Sequence, residues 1–159
     1  MLIAGIGTGL DIPHLPPRHR YVGLDLTRAM LVKARRRIAG NQVRLVQGDV
    51  HCLPFPDAHF DAVVLHLILA VVPHPETCLA EAARVLKPGG RMLVFDKFLK
   101  SGERALWKRA ANPLVRHVAT RLDVVFEDLL ATEPALERRH DEPALAGGWF
   151  RLILLCKRE

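Results

Sequence analysis

Short aliphatic runs alternate with amphipathic stretches along most of the chain, and this alternation restricts the fold more than any other feature. Tyr21-Val-Gly-Leu24, Val43-Arg-Leu-Val46, Ala62-Val-Val-Leu65 and Arg91-Met-Leu-Val-Phe95 have the length and branching of strands buried on both faces. Thr27 is placed to cap a helix running to about Ala39, with Ala29, Met30, Val32 and Ile38 inward and Arg28, Lys33 and Arg35 to Arg37 in water. A second helix is expected from Pro75, where proline at the first helical position wastes no donor, to Lys87-Pro-Gly-Gly90. Strand, helix and strand at this spacing imply an α/β fold: a doubly wound, mostly parallel sheet with helices on both faces.

The last third reads differently. Glu103 to Ala111 and Pro113 to Leu122 look like two helical pieces divided at Asn112-Pro113, and Phe126 to Ala131 like a short helix, so residues 101–131 are expected to form a helical insertion. Leu136 to His140 and Trp149 to Cys156, joined through Gly147-Gly148, read as a C-terminal antiparallel strand pair. No linker, repeat or low-complexity tract interrupts the pattern, so residues 1–159 are read as a single domain.

Composition excludes several classes. With 159 residues, 50% hydrophobic and 25% charged, the chain is no disordered segment and can bury a core without metals or disulfides. Its longest apolar run, Ala62 to Val72, includes His66 and falls short of the ~20 residues of a membrane span. Without a basic leader or cleavage site after Met1, the cytosol is the expected compartment. Cys52, Cys78 and Cys156 are widely spaced and expected to be reduced core residues, and no zinc site is implied. His14, His19, His51, His59 and His74 lack metal-ligand spacing and read as solvated loop histidines.

The chemistry begins at Met1-Leu-Ile-Ala-Gly5-Ile-Gly7-Thr-Gly9, a strand running into three alternate glycines. Glycine serves where a backbone turns tightly or must let a ligand meet main-chain N–H groups. Asp25 closes the second strand, twenty residues after Gly5, where an acid in such folds accepts the hydroxyls of a ribose. A dinucleotide fingerprint would need glycine at Leu10, so a nicotinamide dehydrogenase is the poorest candidate.

The chain resembles the class I S-adenosylmethionine-dependent methyltransferases. The likeness runs in order through Gly5-Ile-Gly-Thr-Gly9, Val22-Gly-Leu-Asp25, Gln47-Gly-Asp49, Leu53-Pro-Phe-Pro-Asp57, Phe60-Asp-Ala-Val63 and Glu81-Ala-Ala-Arg-Val-Leu-Lys-Pro-Gly-Gly-Arg91. It is most similar to the branch that modifies small molecules and lipids, which includes quinone C-methyltransferases and phospholipid N-methyltransferases. Asp141-Glu-Pro and Gly147-Gly-Trp-Phe-Arg151 lean toward the phospholipid type. The resemblance implies a Rossmann-like sheet, S-adenosylmethionine as cofactor and S-adenosylhomocysteine as product. Gly5, Gly7 and Gly9, with Thr8 in the same loop, would line the methionine moiety. Asp25 would hold the ribose, Leu26 would pack beside the adenine, Asp49 would accept from its amino group, and the Val50 N–H would read the ring edge. Leu65, at the end of the fourth strand, would border the same pocket.

Two features depart from the resembled pattern. Ile3 stands where the family usually places an acid, and the helices that normally precede the first strand are missing before Met1. The chain is read either as a shortened member or as one whose start lies upstream of Met1. The alternatives are therefore a module that binds S-adenosylmethionine with little or no turnover, or a nucleic-acid methyltransferase. The latter is disfavoured because Leu65-His-Leu-Ile68 stands where an Asp/Asn-Pro-Pro-aromatic motif is required, and aromatic residues are only 6%.

Methyl transfer from a sulfonium needs alignment, plus a base when the nucleophile carries a proton. His66, ending the fourth strand, and Asp96, ending the fifth, are the candidates. The net charge of +6 is concentrated in part between Lys97 and Arg121, where Lys97, Lys100, Arg104, Lys108, Arg109, Arg116 and Arg121 face one acid, Glu103. That stretch reads either as a peripheral contact with an anionic membrane, suited to a lipid substrate, or as a solvated helix pair.

Overall fold

The computed structural model describes residues 1–38, 40, 42–98, 124–145 and 149–159. Its framework is one sheet of seven strands in the order β3-β2-β1-β4-β5-β7-β6. The strands are β1 (Leu2–Ala4), β2 (Tyr21–Asp25), β3 (Val43–Gln47), β4 (Phe60–His66), β5 (Leu86–Lys97), β6 (Leu136–Leu145) and β7 (Phe150–Lys157). The first five run parallel, whereas β7 lies antiparallel to both β5 and β6. Because β1 lies between β2 and β4, the strand order reverses there, and the crevice beyond the carboxyl ends of β1 and β4 is where such sheets bind ligands.

Side chains alternate across the sheet, so each strand supplies both faces. Leu2, Ala4, Val63, Leu65, Met92 and Val94 belong to the larger core cluster with residues of α2 (Pro75–Val85) and α3 (Phe126–Ala131). Ile3 and Tyr21 belong to a second cluster with Ile6, Ile12, Leu31 and Ala34, under α1 (Arg28–Arg35) and a single 3-10 turn at Ile12–His14. The doubly wound, Rossmann-like architecture with a C-terminal antiparallel pair is thus as the sequence implies.

Three local expectations need correction. In α1 the buried residues are Leu31 and Ala34, while Met30 and Val32 are 38% and 52% exposed. The inward stripe is Leu31, Ala34 and Ile38, spaced three and four apart. Second, α2 stops at Val85 and Leu86 enters β5 directly, so Lys87-Pro-Gly-Gly90 is no helix cap. It forms an irregularity between the pairs Phe60–Leu86 and Ala62–Arg91, eased by Gly89 at φ +70°. Third, only Cys78 of the three cysteines is core; Cys52 is exposed and Cys156 half-buried. The strand β6 is longer than expected, β7 keeps the expected length one residue further on, and β6 tolerates Pro143 because it is the sheet's edge. The helical pieces Glu103 to Ala111 and Pro113 to Leu122, the expected helix end at Ala39 and the Gly147-Gly148 link lie outside the described residues. Among the described residues, no helix is long and apolar enough to cross a membrane.

Candidate active site

The glycine loop is built by backbone bonds and by open space. Gly5, Gly7 and Gly9 have φ of +78°, +56° and +73°, the left-handed region that glycine enters without penalty. The N–H groups of Gly5 and Ile6 both donate to the Leu24 carbonyl, at 2.8 and 2.9 Å, which ties the turn to the neighbouring strand. A Cβ on Gly9 would lie 2.7 Å from Ile12 Cδ1 and 2.9 Å from Ala34 Cβ, so that glycine serves close packing of the loop. A Cβ on Gly7 would meet nothing within 4 Å. Gly7 therefore borders the free side of the turn. Thr8 contributes its carbonyl, which accepts from Arg37 Nη1 at 2.8 Å and so pins the loop to the segment after α1.

Asp25 ties the glycine turn to the start of α1. Its Oδ2 accepts the Gly7 N–H at 2.8 Å and its Oδ1 the Thr27 N–H at 2.9 Å. Each carboxylate oxygen has a second lone pair, and a ribose offers two hydroxyl donors to use them. Leu26, the next residue, is 65% exposed.

Asp49 stands beyond β3, with Oδ1 accepting the His51 N–H at 2.9 Å and lying 2.7 Å from His51 Nδ1. The His51 backbone N–H, helped by the His51 ring, holds the Asp49 carboxyl below its ordinary value. Asp49 Oδ2 makes no bond to a described residue and can accept an amino group. His51 is thus more than a solvated loop histidine: its ring packs edge-on against His74, with centroids 5.9 Å apart, and its Nε2 is buried without a partner among the described residues. Sequence reasoning overlooked it, although Asp-x-His is the local spacing of such a turn.

The loop after Asp49 is held by one guanidinium. Arg84, on α2, donates to the carbonyls of Leu53 and Phe55 and to Glu81 and Asp57. Glu81 also accepts the Leu53 N–H at 2.7 Å, and its carboxyl lies below its ordinary value chiefly because of Arg84. The Leu53-Pro-Phe-Pro-Asp57 motif is therefore a backbone clamped to α2. Val50 and Leu53 are buried beneath it.

The two candidate catalytic residues lie on opposite faces of the sheet. His66 pairs in register with Phe95, one residue before Asp96, so pleat alternation sends Asp96 the other way. Asp96 is 1% exposed, and its carboxylate accepts the N–H groups of Ala70 and Lys97 at 3.1 and 2.8 Å. Burial pushes its carboxyl upward. Its observed bonds hold the turn after β4, on the face away from the cavity that His66 lines. Leu65 is fully buried in the larger core with residues of α2.

His66 is placed differently. Leu67 follows it at φ +53°, uncommon for any residue but glycine, with its N–H donating to Phe95 O at 2.8 Å, so the strand ends abruptly. The imidazole faces a cavity of about 540 Å³ whose walls include Ile3, Val64, Leu93 and Phe95. Ile3 thus serves as an apolar wall of that cavity. His66 Nδ1 lies 2.7 Å from Asp11 Oδ2. Nothing in the sequence pairs these residues, 55 positions apart. Among the described residues no three His, Cys, Asp or Glu side chains gather as a metal site.

Known proteins are similar to this chain in sequence and in fold. Residues 2–94 match the family described as "Methyltransferase domain". A phosphatidylethanolamine N-methyltransferase of Cereibacter sphaeroides is 31% identical over 163 residues, spanning 99% of this chain and 80% of that protein. A ubiquinone/menaquinone biosynthesis C-methyltransferase of Ectopseudomonas mendocina is 44% identical over 97 residues, but the match spans 58% of this chain and only 37% of that protein. The crystal structure of an S-adenosylmethionine-dependent methyltransferase from Mesorhizobium loti superposes with a TM-score of 0.74 at 18% identity, covering 98% of this chain and 89% of that one. At that identity the likeness speaks for the fold alone, and the sequence relatives carry the chemistry. The chain belongs to the methyltransferase domain family and is an S-adenosylmethionine-dependent methyltransferase.

Proposed function

We propose that this methyltransferase acts on the amine of an aminophospholipid of the phosphatidylethanolamine type. The supporting observation is the extent of the match: the phosphatidylethanolamine relative aligns over 99% of the chain, the quinone relative over 58%. The donor, when bound, supplies a methyl group already activated on a sulfonium, so the protein's tasks are alignment and removal of one amine proton. Gly5, Gly7 and Gly9 form the turn that lines the amino-acid end, Gly7 bordering its open side, with Thr8 holding the loop to Arg37. Asp25 receives the ribose hydroxyls and Asp49 the adenine amino group, Leu26 covers the ring, and the Val50 N–H meets its edge. His66 takes the proton that the acceptor nitrogen loses as its bond to the methyl carbon forms.

The test is methyl transfer from radiolabelled S-adenosylmethionine to vesicles containing phosphatidylethanolamine, run beside a demethylated quinol. Label in the lipid fraction is the expected result; label confined to the quinol would overturn the lipid reading. That second reading, C-methylation of a quinol, is favoured by the higher identity of 44% over the shorter match.

A further inference from the structure

We propose that Asp11 is the positioning residue for His66, holding the imidazole as the Nδ1–H tautomer so that Nε2 presents its lone pair to the acceptor. The proposal rests on the reading of His66 as the group that takes the acceptor's proton. It deepens that reading by naming a residue outside the ordered motifs.

The geometry supplies the argument. Asp11 Oδ2 and His66 Nδ1 are 2.7 Å apart, a short, charge-assisted hydrogen-bond distance. An ionised carboxylate has no proton to give, so in the neutral ring Nδ1 must carry the hydrogen and Nε2 must be the base. Which nitrogen of a histidine is basic is set by the bond the other makes. Nε2 has no partner among the described residues. The side chains of His66 and Asp11 are 33% and 39% exposed, and both line the same cavity, so the ring is reachable from it. On its other side the imidazole rests edge-on against Phe95, with centroids 5.3 Å apart, and the Phe95 ring stacks on Phe150. The Phe95 contact and the Asp11 hydrogen bond thus orient the ring, and that hydrogen bond fixes its tautomer.

Asp11 is itself held in place. It immediately precedes the Ile12–His14 turn, and its carbonyl accepts the His14 N–H at 2.9 Å. The remaining ionisable groups that line the cavity are His19, Tyr21 and the amino group of Met1. Tyr21 donates to Pro16 O and the Met1 amine to Arg20 O, both at 2.9 Å, while His19 Nε2 accepts from Arg18 Nε at 3.1 Å. None of them bonds His66. When an acceptor amine attacks, its nitrogen forms the bond to the methyl carbon, the carbon–sulfur pair stays on sulfur as a thioether, and the amine proton moves to Nε2. The imidazolium so formed is balanced by the Asp11 carboxylate.

Nitrogen-15 spectra of the His66 ring, at a pH where it is neutral, read the tautomer without any turnover. Wild-type protein should show the proton on Nδ1, and Asp11→Ala should move population to the Nε2–H form. With phosphatidylethanolamine vesicles as acceptor, Asp11→Ala should lower kcat on the order of tenfold to a hundredfold, the cost of a misplaced catalytic group. KM for donor and acceptor should stay within about threefold, and Asp11→Asn, which keeps an acceptor oxygen, should recover part of the rate. The double variant Asp11→Ala/His66→Ala should be no slower than His66→Ala. Identical ring shifts in wild type and Asp11→Ala would overturn the proposal, as would an Asp11→Ala effect that persists in the His66→Ala background. A slow His66→Ala beside an unimpaired Asp11→Ala would overturn the pairing alone. Full activity of His66→Ala would overturn the reading of the base and the pairing with it. Should Asp11→Ala fail to fold, Asp11→Asn carries the same comparison: slower than wild type at unchanged KM.

Discussion

Replacing Asp25 by alanine removes the acceptor of two backbone N–H groups, Gly7 at 2.8 Å and Thr27 at 2.9 Å. The Thr27 N–H is exposed and finds water, whereas the Gly7 N–H is half-buried in the turn, so the loss of fold stability should be about 1–2 kcal/mol. The larger effect falls on the nucleoside. Hydrogen bonds from ribose hydroxyls to a charged acceptor are worth about 1.5–3 kcal/mol, which corresponds to a Kd weaker by about 10- to 150-fold. Asp25→Asn looks conservative from the residue alone and would be expected to recover part of the loss. The structure says it recovers little: both carboxylate oxygens already accept a backbone N–H, so an amide NH₂ in place of either sets donor against donor. Calorimetry with S-adenosylhomocysteine, paired with urea unfolding of the same samples, separates the two contributions. A Kd within threefold of wild type for folded Asp25→Ala, whatever its urea midpoint, would refute the ribose assignment.

Gly9→Ala should destabilise the fold by about 2–4 kcal/mol, seen as a lower urea midpoint, because its φ is +73° and the new Cβ would lie 2.9 Å from Ala34 Cβ. Arg84→Met should cost about 2–3 kcal/mol by releasing the carbonyls of Leu53 and Phe55 together with Glu81. The Glu81 carboxyl is held below its ordinary value of 4.5, so its stabilising contribution is complete above that pH and is lost as pH falls through the lowered folded value. Glu81→Gln should therefore destabilise at neutral pH and matter progressively less in urea titrations below about pH 4.5. The basic stretch from Lys97 to Arg121 should bring the protein down with anionic vesicles, each basic residue contributing on the order of 1 kcal/mol near the surface. That sedimentation should fall with salt and when Arg104, Lys108 and Arg109 are replaced by Glu; equal recovery with neutral and anionic vesicles at low salt would refute the membrane contact and favour a soluble acceptor.

The sequence by itself determined the sheet, because burial on both faces demands continuous aliphatic runs and short connections allow few orders for them. It also placed the glycine turn and the two acids that are read as the nucleoside half of the site. Gly5, Gly7, Gly9, Asp25 and Asp49 sit at strand ends, and a motif at a strand end is placed by the strand that precedes it. What depends on phase or on distant partners stayed hidden. The inward stripe of α1 was misread because Met30, Leu31 and Val32 are all apolar, and only packing against Ile6 and Ile12 selects Leu31. His66 and Asp96 look equivalent as strand ends, yet the Phe95 register sets them on opposite faces, one lining the cavity and the other buried against backbone amides. Asp11 carries no motif. It meets His66 only because parallel β1 and β4 lie side by side and the glycine turn folds the chain back across their ends. Local propensity and strand ends are written along the chain, but a hydrogen bond between residues 55 apart is decided by which strands pair, and that is a property of the whole sheet.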